Sequence, residues 1–228
     1  MNIVDFFQKV GPTVWPLLVL SILSLSTIFE RLWFWSNILK GERRTANRIV
    51  EASRRDWDEA THIAKQVSNQ PIGRFLYTPL RLANQEPEIF RLALEASADE
   101  ELTAMRKGSK VLEAVIALAP LLGLFGTVWG LIDSLDKLEI GSVNQTAATP
   151  GFGISQALYS TALGLAIAIT SLAFYRIFQG LVFNQARIFR RTGNELELVY
   201  RQFWLQDQTS DTQVSLSPPT NPPHLPGY

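Results

Sequence analysis

The chain has 228 residues, 46% of them hydrophobic, and its 21 basic side chains balance 21 acidic ones. That balance excludes the basic footprint of a nucleic-acid binder, and the absence of cysteine excludes disulfides, thiol nucleophiles and zinc–thiolate sites. Six Trp and thirteen Phe, bunched with aliphatic residues into a few long runs, suit membrane interfaces better than a small soluble core.

Residues 1–12 read as an amphipathic lead-in, with Ile3, Phe6, Phe7 and Val10 at helical spacing. They carry neither the basic segment nor the small-residue cleavage site of a secretory signal, so the first apolar run is expected to be retained. From Val14 to Phe29 no residue is charged, and roughly 20 apolar residues suffice to cross a bilayer. Residues 13–36 are therefore the first predicted span, with Arg31 snorkelling to one interface and Trp33 and Trp35 anchoring there.

Residues 37–110 turn hydrophilic and predict a helical cytoplasmic loop. Asp56 followed by Glu59 has the spacing of a helix cap and its reciprocal glutamate, which predicts a helix over 57–67. Asn69, Gln70 and Pro71 break it, and Pro87 suits the first turn of the next helix. There Phe90, Leu94, Ala98, Leu102 and Met105 recur as one buried stripe. With Gly108 as the sole weak interruption, this helix is expected to run on into the second span. His62, in a polar helical stretch, and His224, in a proline-rich tail, suit exposed structural roles better than metal binding.

The second span is predicted at 111–132. Its core, APLLGLFGTVWGLI, would make a poor helix in water, because glycine and proline raise the cost of helix formation. In lipid, where backbone groups find no water, helix is nearly compulsory and small residues let helices approach. A short periplasmic loop (133–153), a third span (154–183), a helical cytoplasmic extension (184–206) and a disordered tail (207–228) complete the chain. Lysine and arginine concentrate in the 37–110 loop, Arg43, Arg44, Arg48, Arg54 and Arg55 among them, whereas the 133–153 loop holds only Lys137. The positive-inside bias puts the N-terminus outside and the large loop and C-terminus in the cytoplasm. The predicted class is an all-α integral membrane protein of three spans extended into the cytoplasm.

Small residues line both later spans. Gly123, Gly126 and Gly130 leave one face of the second span nearly bare, and Pro120 deprives the carbonyl near Ile116 of its usual donor. On the third span Ala157, Thr161, Gly164, Ala168 and Ser171 form a matching stripe, with Gln156 and Ser160 beside it. Helix packing accounts for most of these residues. Thr127, Thr161 and Gln156 are the polar exceptions. A threonine can satisfy its hydroxyl on its own helix, whereas a glutamine amide needs partners unless it meets interfacial water. No charged residue lies deep in any span, although ion-moving proteins usually place ionisable groups there. Either the chain is no channel, or a partner brings the titrating group.

APLLGLFGTVWGLI (residues 119–132) and GFGISQALYSTALGLAIAI (151–169) resemble the second- and third-span signatures of the ExbB/TolQ family of bacterial inner-membrane motor subunits, more distantly related to MotA. The large loop after the first span matches too. The resemblance implies a pentamer around a pore that holds two single-span helices of the ExbD/TolR type, without a cofactor. An aspartate on that partner helix would carry protons, and rotation would work on a TonB- or TolA-type protein. On the family's motifs Thr127 and Thr161 fall at pore threonines, facing one another across a space for the partner helix. Two positions depart from the pattern. Gln156 stands where the family usually has glutamate, so it would supply polar lining without titrating. Thr170 stands where proline is usual, which predicts a straighter third span. TonB-dependent uptake is the favoured role, with Tol-type envelope maintenance or a purely structural scaffold as alternatives. Enzymatic chemistry is not expected, because no paired carboxylates, histidine ligands or Ser/Lys constellation lies at membrane depth.

Overall fold

In a computed structural model of the chain, residues 13–38, 41–82, 85–139 and 150–216 are described. They form seven helices and, among the described residues, no strand: α1 (Val14–Ile38), α2 (Glu42–Ser53), α3 (Trp57–Gln66), α4 (Pro71–Leu80), α5 (Pro87–Met105), α6 (Ser109–Glu139) and α7 (Pro150–Leu216). Three stretches, Val14–Ile38, Ser109–Asp136 and Leu158–Gln206, are long and apolar enough to cross a membrane. The lead-in, most of the loop before α7 and residues 217–228 lie outside the described residues.

The chain divides into two compact units. The first comprises Met1–Lys40 with Leu102–Gln185, the second Gly41–Glu101 with Ala186–Tyr228. In the first unit, Leu17 of α1, Val115 and Ala119 of α6 and Ala168 of α7 form a buried cluster, flanked by Leu20, Leu122, Leu163 and Ile167. Buried Ser24 and Ser171 add a hydroxyl–hydroxyl bond of 2.6 Å between α1 and α7.

Two sequence expectations fail in this unit. The helix from Pro87 does not run into the second span: α5 stops at Met105, Gly108 turns with φ of 81°, and α6 starts at Ser109. Glycine tolerates that left-handed conformation without steric cost. A Cβ at Gly108 would also lie 3.0 Å from Thr27 Cγ2 and 3.2 Å from Arg31 Nε, so the turn is packed against α1. Nor does Arg31 snorkel. It is buried, and its Nη1 donates to the Met105 carbonyl at 3.3 Å, where α5 has run out of helical donors. Its guanidinium sits 5.1 Å from the Phe34 ring. Trp35 is buried with it, one turn on, while Trp33 on the opposite face is exposed. Helical spacing puts Thr27, Arg31 and Trp35 on the inward stripe of α1.

The second unit is built on aromatic stacks. Phe75 of α4 lies against Phe189 of α7 at 4.6 Å between centroids, and Phe90 of α5 against Tyr200 at 4.2 Å. Trp57 packs on Phe90, Tyr200 and Phe203, and its indole donates to the Leu80 carbonyl at 3.1 Å. The α3 start is close to expectation, although the Asp56 side chain accepts from the Asp58 backbone N–H. On α5 the predicted stripe drifts. Phe90, Leu94 and Met105 are buried, but the residues between them are Ser97 and Glu101 instead of Ala98 and Leu102. Glu101 is tolerated there because Arg74 grips both its oxygens, at 2.6 and 2.7 Å.

Helix ends also move. α6 continues to Glu139, and α7 starts at Pro150, so Gly151 and Gly153 belong to its first turn. α7 runs on to Leu216, beyond Gln206, since neither proline nor glycine stops it there. It also passes through Thr170 without interruption, and that hydroxyl donates to the Ala166 carbonyl at 2.8 Å.

Candidate functional site

The α6–α7 seam is defined by what its glycines allow. A Cβ on Gly123 would stand 3.0 Å from both the Ser160 carbonyl oxygen and the Thr161 Cα. On Gly164 it would run into the Ala119 carbonyl and reach 3.2 Å from the Gly123 Cα. On Gly126 it would strike the Ser160 hydroxyl and lie 2.7 Å from that of Thr13, at the head of α1. Three helices therefore converge at Gly126, and backbone approaches backbone along the seam.

That approach exposes the Gly123 carbonyl to two hydroxyls from the facing helix. Ser160 Oγ donates to it at 3.1 Å and Thr161 Oγ1 at 3.0 Å. Ser160 is fully buried and Thr161 half-buried. Thr127 lies one turn beyond Gly123, half-buried, and its hydroxyl donates to the Leu124 carbonyl of its own helix at 2.6 Å. The two threonines bond different carbonyls, Thr161 across the seam and Thr127 within its own helix. Each has committed its proton to the backbone, and each oxygen keeps lone pairs with which to accept. A neutral carboxyl or a water could donate to them as they stand. An ionised carboxylate would need the hydroxyls to rotate away first.

The other predicted residues distribute as follows. Gly130 is buried, and its carbonyl accepts from Ser134 Oγ at 2.7 Å. Ala168 belongs to the apolar cluster with Leu17, and Pro120 sits half-buried inside α6 without ending it. Gln156 and Ala157 belong to α7, but their side chains lie outside the described residues. Sequence reasoning gave no role to Thr13. Its short side chain directly before an apolar helix was the available signal. Ser160 was read as helix packing or pore wall, because nothing in the sequence showed which carbonyl would face it.

Residues 67–191, which include α6 through the start of its exit and most of α7, match the MotA/TolQ/ExbB proton channel family. The chain is also 45% identical over 207 residues to a putative biopolymer transport protein, ExbB-like 1, of Synechocystis sp., covering 90% of this chain and 82% of that protein. The chain belongs to the MotA/TolQ/ExbB proton channel family. A second Synechocystis relative, ExbB-like 3, is 34% identical over 203 residues, covering 89% of this chain and 96% of that protein. The Tol-Pal system protein TolQ of Haemophilus influenzae is 26% identical over 195 residues, covering 77% and 83%. As a member of this family the chain is a membrane protein of a transport class, and the hydroxyl-lined α6–α7 seam falls inside the matched region.

Proposed function

We propose that the chain is the ExbB-type subunit of a bacterial inner-membrane motor that uses the proton motive force to energise TonB-dependent uptake. Its N-terminus faces the periplasm and its second unit the cytoplasm. Five copies surround two single-span helices of the ExbD/TolR type. The observation that supports this reading is the α6–α7 seam. Thr127 and Thr161 present acceptor oxygens in spans with no charged residue at depth, so the proton carrier at that depth must be a group that another helix brings. An aspartate on the partner helix fits those oxygens when protonated, and its charge would be costly to leave against lipid. Gln156 adds polar lining without titrating.

The similarity to two proteins named ExbB-like, at 45% and 34% identity, supports the ExbB-type reading. The TolQ-like role remains the second reading, because both systems would use the same seam. Co-purification with the partner, native mass measurement and proton flux in proteoliposomes test the proposal together. A pentamer holding a single-span helix, with flux lost on replacing the partner aspartate and reduced in Thr161→Val, is the expected result. A pentamer that binds no such helix would identify a structural scaffold. Unchanged flux in Thr161→Val, Gln156→Leu and the aspartate variant would overturn the assignment.

A further inference from the structure

Away from the threonines, towards the start of α6, the same two helices carry a second polar group. Tyr175 Oη of α7 donates to Glu113 Oε1 of α6, and Gln179 Nε2 donates to Tyr175 Oη at 2.5 Å. Glu113 is exposed and Tyr175 half-buried, so neither is sealed inside the chain. The sequence register ties this group to the threonines. Glu113, Pro120 and Thr127 recur every seven residues on α6, and Thr161, Ala168 and Tyr175 do so on α7. Seven residues of α-helix fall only ~20° short of two turns. Fourteen residues therefore return to nearly the same face, about 21 Å along the axis. The carboxylate and the threonines lie on one line of each helix.

A carboxylate flanked by Leu112, Ala114 and Val115 at the start of an apolar span is costly against lipid. It is better placed where water reaches it and a donor holds it, and Tyr175 is that donor. On its own helix Lys110 lies one turn earlier, and on α7 Arg176 stands beside Tyr175. The charged residues of α1 are Glu30 and Arg31, and Arg31 is already engaged with the Met105 carbonyl.

We propose that Glu113 is the proton acceptor on the cytoplasmic side of the conduction path, with Tyr175 and Gln179 as positioning residues that hold its carboxylate. The proposal rests on the channel reading above and extends it with a titrating group of the chain's own, in place of the one that Gln156 lacks. Pro120 and Ala168, midway along the two lines, offer no titratable atom. Water or the partner's carboxyl therefore bridges the intervening distance. In the step itself a hydronium or the partner's carboxylic acid gives its proton to a Glu113 oxygen, forming one O–H bond as another breaks. Tyr175 keeps its own proton. Glu113 then passes the proton to a cytoplasmic water and returns to the carboxylate, so charge balances over the cycle.

The test uses the full chain co-reconstituted with its partner in vesicles, with proton flux followed as the cytoplasmic-side pH is varied. Glu113→Gln should lower flux about tenfold or more, the scale of a lost proton-transfer group, while Glu113→Asp retains most of it. Tyr175→Phe should lower flux severalfold and move the carboxylate infrared band of Glu113, because the hydrogen bond that holds that carboxylate is lost. A merely structural role for Tyr175 would leave that band in place. Native mass measurement confirms that each variant assembles. The carboxyl infrared band that appears on acidifying the cytoplasmic side should be missing in Glu113→Gln. If Glu113→Gln matches the parent chain in flux and in the infrared band while Thr161→Val loses flux, this proposal fails and the channel reading stands. If the parent complex neither conducts nor binds a partner helix, the channel reading fails and takes this proposal with it.

Discussion

The two units of the chain solve packing in opposite ways. In the first, Gly123, Gly126 and Gly164 remove side chains so that helices meet through backbone, and the polar contacts are short-range ones such as Thr161 to the Gly123 carbonyl. In the second, Phe75, Phe90, Trp57, Phe189 and Tyr200 add ring on ring, and a carboxylate is buried only because Arg74 clamps it. In the proposed topology the difference follows from the solvent. In lipid there is no gain from hiding apolar surface, so close approach and hydroxyl–carbonyl bonds hold helices together. In water the area buried by large rings dominates. The first unit should therefore be injured by added atoms, and the second by removed ones.

The largest effect is expected from Phe75→Ala. Its loss opens a cavity against Phe189 and should destabilise the second unit by about 3–5 kcal/mol. Hydrogen–deuterium exchange should show α4 and the 186–201 part of α7 opening, with Leu112–Ile132 of α6 unaffected. An even loss of protection in both units would break the contrast. Gly164→Val should come next, at about 1–3 kcal/mol, because the obstacle is the Ala119 carbonyl, which no rotamer change can clear. Exchange should then rise along the α6–α7 seam while the aromatic stacks stay protected.

A smaller loss, about 0.6 kcal/mol, is expected for Ser24→Ala. Ser171 would still donate to the Ile167 carbonyl, so no buried hydroxyl is orphaned. Thermal unfolding in a fixed detergent should barely move, and a drop comparable to Gly164→Val would show that the seam depends on hydroxyl pairs more than on small residues. The slightest effect concerns acid. Hydrogen bonds from Arg91, reinforced by its charge and that of Arg201, hold the Glu88 carboxyl below the usual carboxylate range. A depressed folded value means a contribution present at neutral pH and lost as pH falls through that value. Both side chains are solvent-exposed, so stability should change little, but an NMR titration of Glu88 should return towards the ordinary value in Arg91→Gln.

Much of the fold was legible along the chain. Uncharged runs of sufficient length marked the parts of α1, α6 and α7 that can cross a membrane, Asn69 to Pro71 marked the break after α3, and Pro87 marked the start of α5. Helix α2 and the helical character of α4 were not assigned, because both are short and lack a side-chain cap, and α4 carries Pro79 inside it. The stripe on α5 was drawn through Ala98 and Leu102. Hydropathy cannot know that Glu101 has an ion-pair partner in Arg74, twenty-seven residues away in sequence. For the same reason Arg31 was assigned to the surface.

At the seam, composition alone determined that small residues and isolated hydroxyls would meet in a charge-free setting, since those are properties of residue type and spacing. It could not determine which hydroxyl takes which carbonyl. That choice was made by three helices closing on Gly123 and Gly126, which brought Ser160 and Thr161 to one backbone oxygen and left Thr127 to bond its own helix. Nor could it tie Glu113 to Tyr175, sixty-two residues apart, although the seven-residue register of both was visible from the start. A hydrogen bond depends on a few tenths of an ångström between separate elements, and only the packed chain sets distances that fine.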